Sequence, residues 1–381
     1  MPTTWNQTRV ATTLGIDYPI IQGPLGGLSS QRLAAAVSNY GGLGSFGAHG
    51  LEPHAMQDVI SEIVSLTSRP FAMNLWVSME DDGAASSDAA AFHRALSHLA
   101  PHIEAVGGKQ PAFAPYKRIR FEDQARVLLD AKVPVFSFIY GIPPREILEE
   151  ARKQGIVTMG TATTVEEAVV LEQAGVDLVV TSGFEAGGHR GSFLRSSEDS
   201  LTGTISLVPQ TVDAVTIPVI AAGGIADARG IAAAFALGAE GVQIGTAFLA
   251  CKESGAPPVH REAILSRHAG HTGLTRGFTG RLARGIQNEL MESMNRSGVE
   301  ILPYPLQRSL MRHLATPAQQ AGKAELLALW AGQSANLVHC VGVEELLDSL
   351  VRGAAARVPS TQDADSQNNT STPAGELGTS Y

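Results

Sequence analysis

Short β-branched or aliphatic runs alternate with alanine-rich amphipathic segments along about the first 250 residues, the trace that successive βα units leave in a chain. The runs predict strands over 19–22, 44–47, 71–77, 133–140, 156–160, 178–182, 218–222 and 242–248. Helices fall between them with their own punctuation. A serine opens the one over 29–39, a proline starts 53–66, Thr164 precedes Glu166 and Glu167, and Asp227 opens a helix that stops at Gly238. Eight such units fit a closed (βα)8 TIM barrel of the α/β class better than a doubly wound sheet, because closure leaves no exposed edge. The alternative, a Rossmann-like sheet with a helical lid, lacks its fingerprint, since Gly23-Pro24-Leu25-Gly26-Gly27 after the first strand is not a GxGxxG turn.

The repeat is broken twice. Acidic and alanine-rich sequence, then Gly107-Gly108, marks an insertion at about 78–118. The barrel is expected over 1–256, a smaller and mostly helical lid or substrate domain over 257–353, and a disordered tail over 354–381, where large apolar side chains almost vanish.

A net charge of −9 without a Lys/Arg cluster argues against nucleic acid or an anionic membrane as partner and leaves small molecules. No apolar segment follows the basic start, and every long apolar stretch is broken by charge or glycine, so a cytoplasmic protein is expected. Cys251 and Cys340 stand far apart, outside any metal-ligand spacing, and read as reduced buried thiols or a pair brought together by the fold.

Candidate chemistry collects at the C-terminal ends of the strands, the face on which such barrels build active sites. Gly23 to Gly27 follow the first strand, Asn74 lies in the third, and Gly223-Gly224 follow the seventh. Gln243, Ile244, Gly245 and Thr246 lie in the eighth. Two glycine turns in the last two units let backbone N–H groups converge on a phosphate, with the helix after Asp227 and the Thr246 hydroxyl assisting, so a phosphorylated cofactor is implied. His189 sits in the glycine-rich run Gly183 to Gly191 after the sixth strand, where an imidazole can exchange a proton near neutral pH. A lone loop histidine more often caps a helix or meets a carboxylate; its company here favours catalysis. Glu185 reads as a loop brace, and Arg190 either as a grip on an anion or as a solvent-facing or ion-paired residue. No metal site is expected: His98 and His102 share i,i+4 spacing without a nearby carboxylate, and His268 and His271 are no better supported.

These motifs, with Ser137 to Pro143, Glu185 to Gly191 and Ala331-Gly332-Gln333, make the chain resemble the nitronate monooxygenases, formerly called 2-nitropropane dioxygenases, over nearly its whole length except the tail. The resemblance implies FMN held non-covalently, with O2 reacting at the flavin. It puts Gly23, Pro24, Leu25 and Gly26 by the isoalloxazine ring. Around the rest of FMN it puts Asn74, Ser182, Gly187, Gly188, Gly223, Gly224, Gln243, Ile244, Gly245, Thr246 and Gln333. His189 takes the place of the catalytic histidine, which binds a nitronate or removes the α-proton of a nitroalkane on the way to a carbonyl compound and nitrite. Tyr140, Tyr304, Arg308 and Arg312 are expected near the substrate, and the likeness allows a monomer or a homodimer.

The match departs from the family in two places. Ser182 stands where a glutamine commonly touches flavin, and a Tyr-x-x-x-Tyr-x-x-x-Lys frame reads Tyr304, Arg308, Arg312. Arginines there favour a substrate carrying a further anion, such as 3-nitropropionate. An FMN-dependent NAD(P)H reductase of quinones or enoyl thioesters stays open on the same scaffold, since flavin-type enoyl-ACP reductases share the Gly-Gly-His loop. A catalytically idle flavin-binding protein is the third alternative.

Overall fold

The computed structural model describes residues 4–77, 89–114, 119–296, 298–339 and 341–358. Its strands in chain order are β1 (Ile20–Gln22), β2 (Gly44–Gly47), β3 (Phe71–Trp76), β4 (Val135–Ile139), β5 (Val157–Ala162) and β6 (Leu178–Ser182). They continue as β7 (Gly188–His189), β8 (Val219–Ala222), β9 (Gly241–Ile244), β10 (Thr272–Thr275) and β11 (Ala283–Ile286). Eight run parallel in the order β1-β9-β8-β6-β5-β4-β3-β2. The ring closes between β1 and β2 through the parallel bridge Ile21 to Leu43, where Gln22 N–H donates to the Leu43 carbonyl at 2.9 Å. The expected TIM barrel is therefore the observed fold.

Local chemistry accounts for its helices. Ser30 Oγ accepts from Leu33 N–H at 3.0 Å, Thr164 Oγ1 from Glu167 N–H at 3.2 Å, and Asp227 Oδ1 from Arg229 N–H at 2.8 Å, each satisfying a donor the first turn leaves unpaired. The short helix Arg9–Leu14 plugs the N-terminal end of the barrel: Val10, Ala11 and Leu14 share one buried cluster with Ile21, Leu43, Ala72, Val135, Met159, Val180 and Ile220. Among the described residues this plug fills one end of the barrel, and the cavity opens at the C-terminal ends of the strands.

Over the mouth, the helix Ala89–Ala105 from the expected insertion packs on the helix Leu306–Gln320, with Phe92, Leu96, Leu99 and Ile103 sharing a buried cluster with Leu310, Met311 and Leu314. The rest of the insertion, 78–88 and 115–118, and the tail from 359 lie outside the described residues, as does Cys340. Cys251 is buried.

Three details differ from the sequence reading. The loop around His189 contains β7, which pairs antiparallel with β11 (Ala283 to His189, Arg284 to Gly188) in a three-stranded sheet with β10. The run expected as a strand over 242–248 leaves the ladder at Ile244, and Thr246–Leu249 is a helical turn. Finally, the helix Val343–Ala355 lies not over the mouth but on the barrel wall, packed between the helices Gln31–Tyr40 and Ala228–Ala236. Period alone cannot assign a helix to one layer or the other, because either location buries the same apolar stripe.

Candidate active site at the barrel mouth

The floor of the mouth is made of glycine turns. Gly223 and Gly224 follow β8 with φ of 102° and 72°, values that L side chains rarely adopt. A Cβ on Gly223 would stand 3.0 Å from the Gly183 carbonyl oxygen and 3.2 Å from Ala186 N, so a side chain there would have to push the backbone of this loop aside. Because β9 ends at Ile244, the N–H groups of Gly245 and Thr246, like those of Gly223 and Gly224, have no acceptor among the described residues. All four line one cavity, and converging unpaired N–H groups of this kind fit a phosphate. Asp227 already caps the helix Ala228–Ala236, so that helix end offers less to an anion than its position suggested. Gln22 pins the opposite rim, its amide donating to the Gly23 and Ser45 carbonyls at 2.5 and 2.9 Å while accepting from Ser45 N–H at 3.0 Å.

His189 lines the same cavity. Its Nε2 lies 2.9 Å from Thr279 Oγ1, which also accepts from Arg281 N–H at 3.3 Å and lies 3.2 Å from the Arg281 carbonyl. The hydroxyl therefore sets the tautomer. Donating to Nε2, it makes Nδ1–H a hydrogen-bond donor; donating to the Arg281 carbonyl, it accepts Nε2–H and leaves an Nδ1 lone pair. Burial pushes the His189 pKa down to about 3, with Arg308 and then Arg281 adding to the shift, so the ring is neutral at physiological pH. The ring retains access to the cavity itself, and a bound anion would raise that value again.

Aromatic rings surround it. Trp76 lies with its ring centre 4.8 Å from His189, 4.9 Å from Tyr140, 5.3 Å from Tyr304 and 3.7 Å from His49, and Trp330 is 5.3 Å from His189 on another side. The Arg281 guanidinium sits 3.9 Å above the Tyr140 ring and 4.7 Å from that of Tyr304. Arg308 donates to Tyr304 Oη at 3.3 Å. A neutral imidazole, two cations and a wall of rings beside a phosphate-sized nest make a receptor for a small anion next to a flat phosphorylated group.

Residues 7–353 match the nitronate monooxygenase family. A probable nitronate monooxygenase of Staphylococcus haemolyticus is 40% identical over 353 residues, spanning 91% of this chain and 97% of that one. One of Staphylococcus aureus strain JH9 is 39% identical over 348 residues, with the same coverage. Among solved structures, nitroalkane oxidase from Streptomyces ansochromogenes matches with a TM-score of 0.81 at 36% identity, covering 91% of this chain and 98% of that chain. FabK from Thermotoga maritima matches with a TM-score of 0.72 at 29% identity, over 95% and 99%. The chain belongs to the nitronate monooxygenase family.

As a nitronate monooxygenase family member it is an oxidoreductase, and most of its sequence-read candidates meet in one place. Gly23, Pro24, Leu25, Gly26, Asn74, Ser182, Gly187, Gly188, His189, Gly223, Gly224, Gln243, Gly245, Thr246 and Arg308 all line the cavity. Ile244 does not; it is fully buried in the barrel wall, because alternation turns it away from Gln243. Gln333 is exposed, and only its backbone reaches the site's framework, donating to the Glu185 carbonyl at 2.9 Å. Arg312 is exposed too and borders a separate cleft with Lys109 and His313. Glu185 braces the loop as read, accepting from Thr204 N–H and Oγ1–H at 2.9 Å each. Arg190 is not at the surface, and among the described residues it forms no ion pair. It is buried and donates to the Ser182, Ser200 and Thr163 carbonyls at 2.7, 2.6 and 3.3 Å, fixing the loop that carries His189. His98 binds Ser293 Oγ at 2.9 Å, with the His102 ring 6.4 Å away, and no group of three His, Cys, Asp or Glu suited to a metal occurs among the described residues.

Sequence reasoning missed His49, Trp76, Thr279, Arg281 and Trp330. Trp76 was within reach: it stands two residues beyond Asn74 on β3, hence on the same face. Thr279 and Arg281 carry no local signal, since their loop meets His189 only through the β7–β11 pairing. Thr279→Val, which keeps shape and removes the hydroxyl, is expected to lower kcat/KM about 5–10-fold with little change in Tm. Unchanged steady-state kinetics would show that His189 needs no such support.

Proposed function

We propose that this enzyme binds FMN and oxidises alkyl nitronates with O2 to carbonyl compounds and nitrite, taking the preformed anion rather than the neutral nitroalkane. The observation that carries this reading is the grouping of His189 with Arg308 and Arg281 at the mouth of the glycine nest, where burial and both guanidinium charges favour the neutral ring. An imidazole held near pKa 3 is a feeble base toward a carbon acid, whereas two nearby guanidiniums favour a ligand that already bears negative charge.

The residues suit the cofactor: the N–H groups of Gly223, Gly224, Gly245 and Thr246 would hold its phosphate, and Asn74, Gln243 and the Gly23 to Gly26 turn would flank its ring. When bound, FMN supplies the redox chemistry, accepting electrons from the nitronate and passing them to O2. The chain supplies the rest. With Thr279 O–H donating to Nε2, Nδ1–H of His189 would be the donor to a nitronate oxygen. Arg308 and Arg281 balance the charge, and Trp76, Trp330 and Tyr140 keep the apolar side of the substrate out of water.

The likeness to FabK stands beside a second reading, an NAD(P)H-dependent flavin reductase. Air-free mixing of the purified protein separates the two. Bleaching of the flavin spectrum by propionate 3-nitronate alone supports the oxidase; rapid bleaching by NADH or NADPH and none by nitronate overturns it. A pH profile gives a further check. Folded His189 titrates near 3, below the ordinary 6.5, so it stays neutral as pH falls through 6.5 and is protonated only near 3. The kcat/KM for preformed nitronate is accordingly expected to show no ionisation of His189 across about pH 5–8. A step near 6.5 that disappears in His189→Gln would overturn the assignment of a neutral ring.

A further inference from the structure

His49 follows β2 at the barrel mouth and has no part in the chemistry above, yet it is held on every side. Its ring stacks on Trp76 with centres 3.7 Å apart and planes 5° from parallel. On the other side lies Gly26, where a Cβ would stand 2.7 Å from His49 Cε1. Wedged between tryptophan and turn, the imidazole presents Nε2 to the lid helix Leu306–Gln320, where Arg308 Nη1 donates to it at 3.2 Å. The neighbouring Gly50, with φ of 78°, clears space for the same guanidinium: a Cβ there would lie 3.1 Å from Arg308 Nη1.

A guanidinium can only donate, so Nε2 must offer a lone pair, and the ring is neutral with its proton on Nδ1. Nδ1 is buried without a hydrogen-bond partner among the described residues, while Nε2 serves Arg308. Burial, and next the Arg308 charge, hold the pKa well below its ordinary value, consistent with that state.

We propose that His49 is the positioning residue of Arg308, fixing the guanidinium on the cavity wall as the receptor for the substrate's negative charge, so that the preference for anions depends on a histidine in the barrel rather than on the lid alone. A flexible arginine immobilised before binding loses less freedom when the anion arrives, and the gain appears in affinity rather than in turnover. This rests on the anionic-substrate reading.

The test compares His49→Leu, which removes the acceptor, with His49→Gln, whose Oε1 can replace Nε2. Both are made in the FMN-loaded full chain, with sodium nitrite as probe ion. Nitrite affinity is measured by calorimetry and flavin absorbance, beside KM and kcat for propionate 3-nitronate. In His49→Leu, nitrite binding is expected to weaken and KM to rise by roughly 10–100-fold with kcat within about 3-fold, and in His49→Gln most of the loss should be recovered. Arg308→Met should match the leucine variant, with no further loss when the two are combined, and it keeps the test open if His49→Leu does not fold. Equal behaviour of the leucine and glutamine variants, or a fall in kcat at constant KM, overturns the assignment. Should nitrite binding follow these expectations while nitronate is not turned over, the oxidase reading fails and the role of His49 stands. Turnover with nitrite binding indifferent to His49 means the reverse.

Discussion

Replacing His189 with alanine is expected to lower kcat/KM for propionate 3-nitronate about 100- to 1000-fold, the usual cost of losing one preorganised donor to a charge-bearing oxygen. FMN content and Tm should stay near those of the parent. The fold of the loop does not depend on the imidazole: β7 pairs through its backbone with β11, and Arg190 fixes the same segment from beneath through three carbonyls. What alanine removes is the group between Thr279 and the cavity. Glutamine, which can still donate, should recover part of the loss. A His189→Ala enzyme within about 5-fold of the parent would remove the histidine from the mechanism and shift the handling of the anion to Arg281 and Arg308.

Gly223→Ala is expected to weaken FMN binding on the order of 10–100-fold, from left-handed strain and overpacking together. The residue is held at φ 102°, where an L side chain is strained, and the new methyl would press on the Gly183 carbonyl and the Ala186 amide at 3.0 and 3.2 Å. Neither is the movable end of a side chain; both belong to the segment leading to Gly187, Gly188 and His189. One methyl group therefore disturbs the glycine nest and the histidine together. The measurement is FMN dissociation followed by the rise in free-flavin fluorescence, with kcat determined at saturating FMN. Retention of FMN at parental affinity would show that the phosphate lies elsewhere than in this nest.

The parts of this site that were legible in sequence share one property: their signal is local. Gly223-Gly224 and Gly245-Thr246 stand at strand ends and announce backbone that must leave the ladder. His189 stands in a run too rich in glycine for a helix interior, and Thr164 and Asp227 announce the helices they cap. The errors were local as well. The run over 242–248 looked extended because Ile244 and Phe248 are good strand residues, but Gly245 lets the chain turn into a helix as soon as the ladder ends. Neither reading of Arg190, an anion grip or a solvent-facing or ion-paired residue, anticipates three carbonyls converging on it, because composition carries no sign of them.

By itself, the sequence determined the barrel, the face on which its site is built and the glycine nest at its mouth, because periodicity and backbone permissiveness act over a few residues at a time. Only the tertiary structure decided what stands around His189. Thr279 and Arg281 from the β10–β11 turn, Arg308 from the lid helix, and Trp76 and His49 from the barrel are brought together by strand pairing and helix packing between segments as far as 259 residues apart in the chain. Whether the imidazole is a base or a neutral donor depends on that company, since burial and neighbouring charge, not residue type, set its protonation.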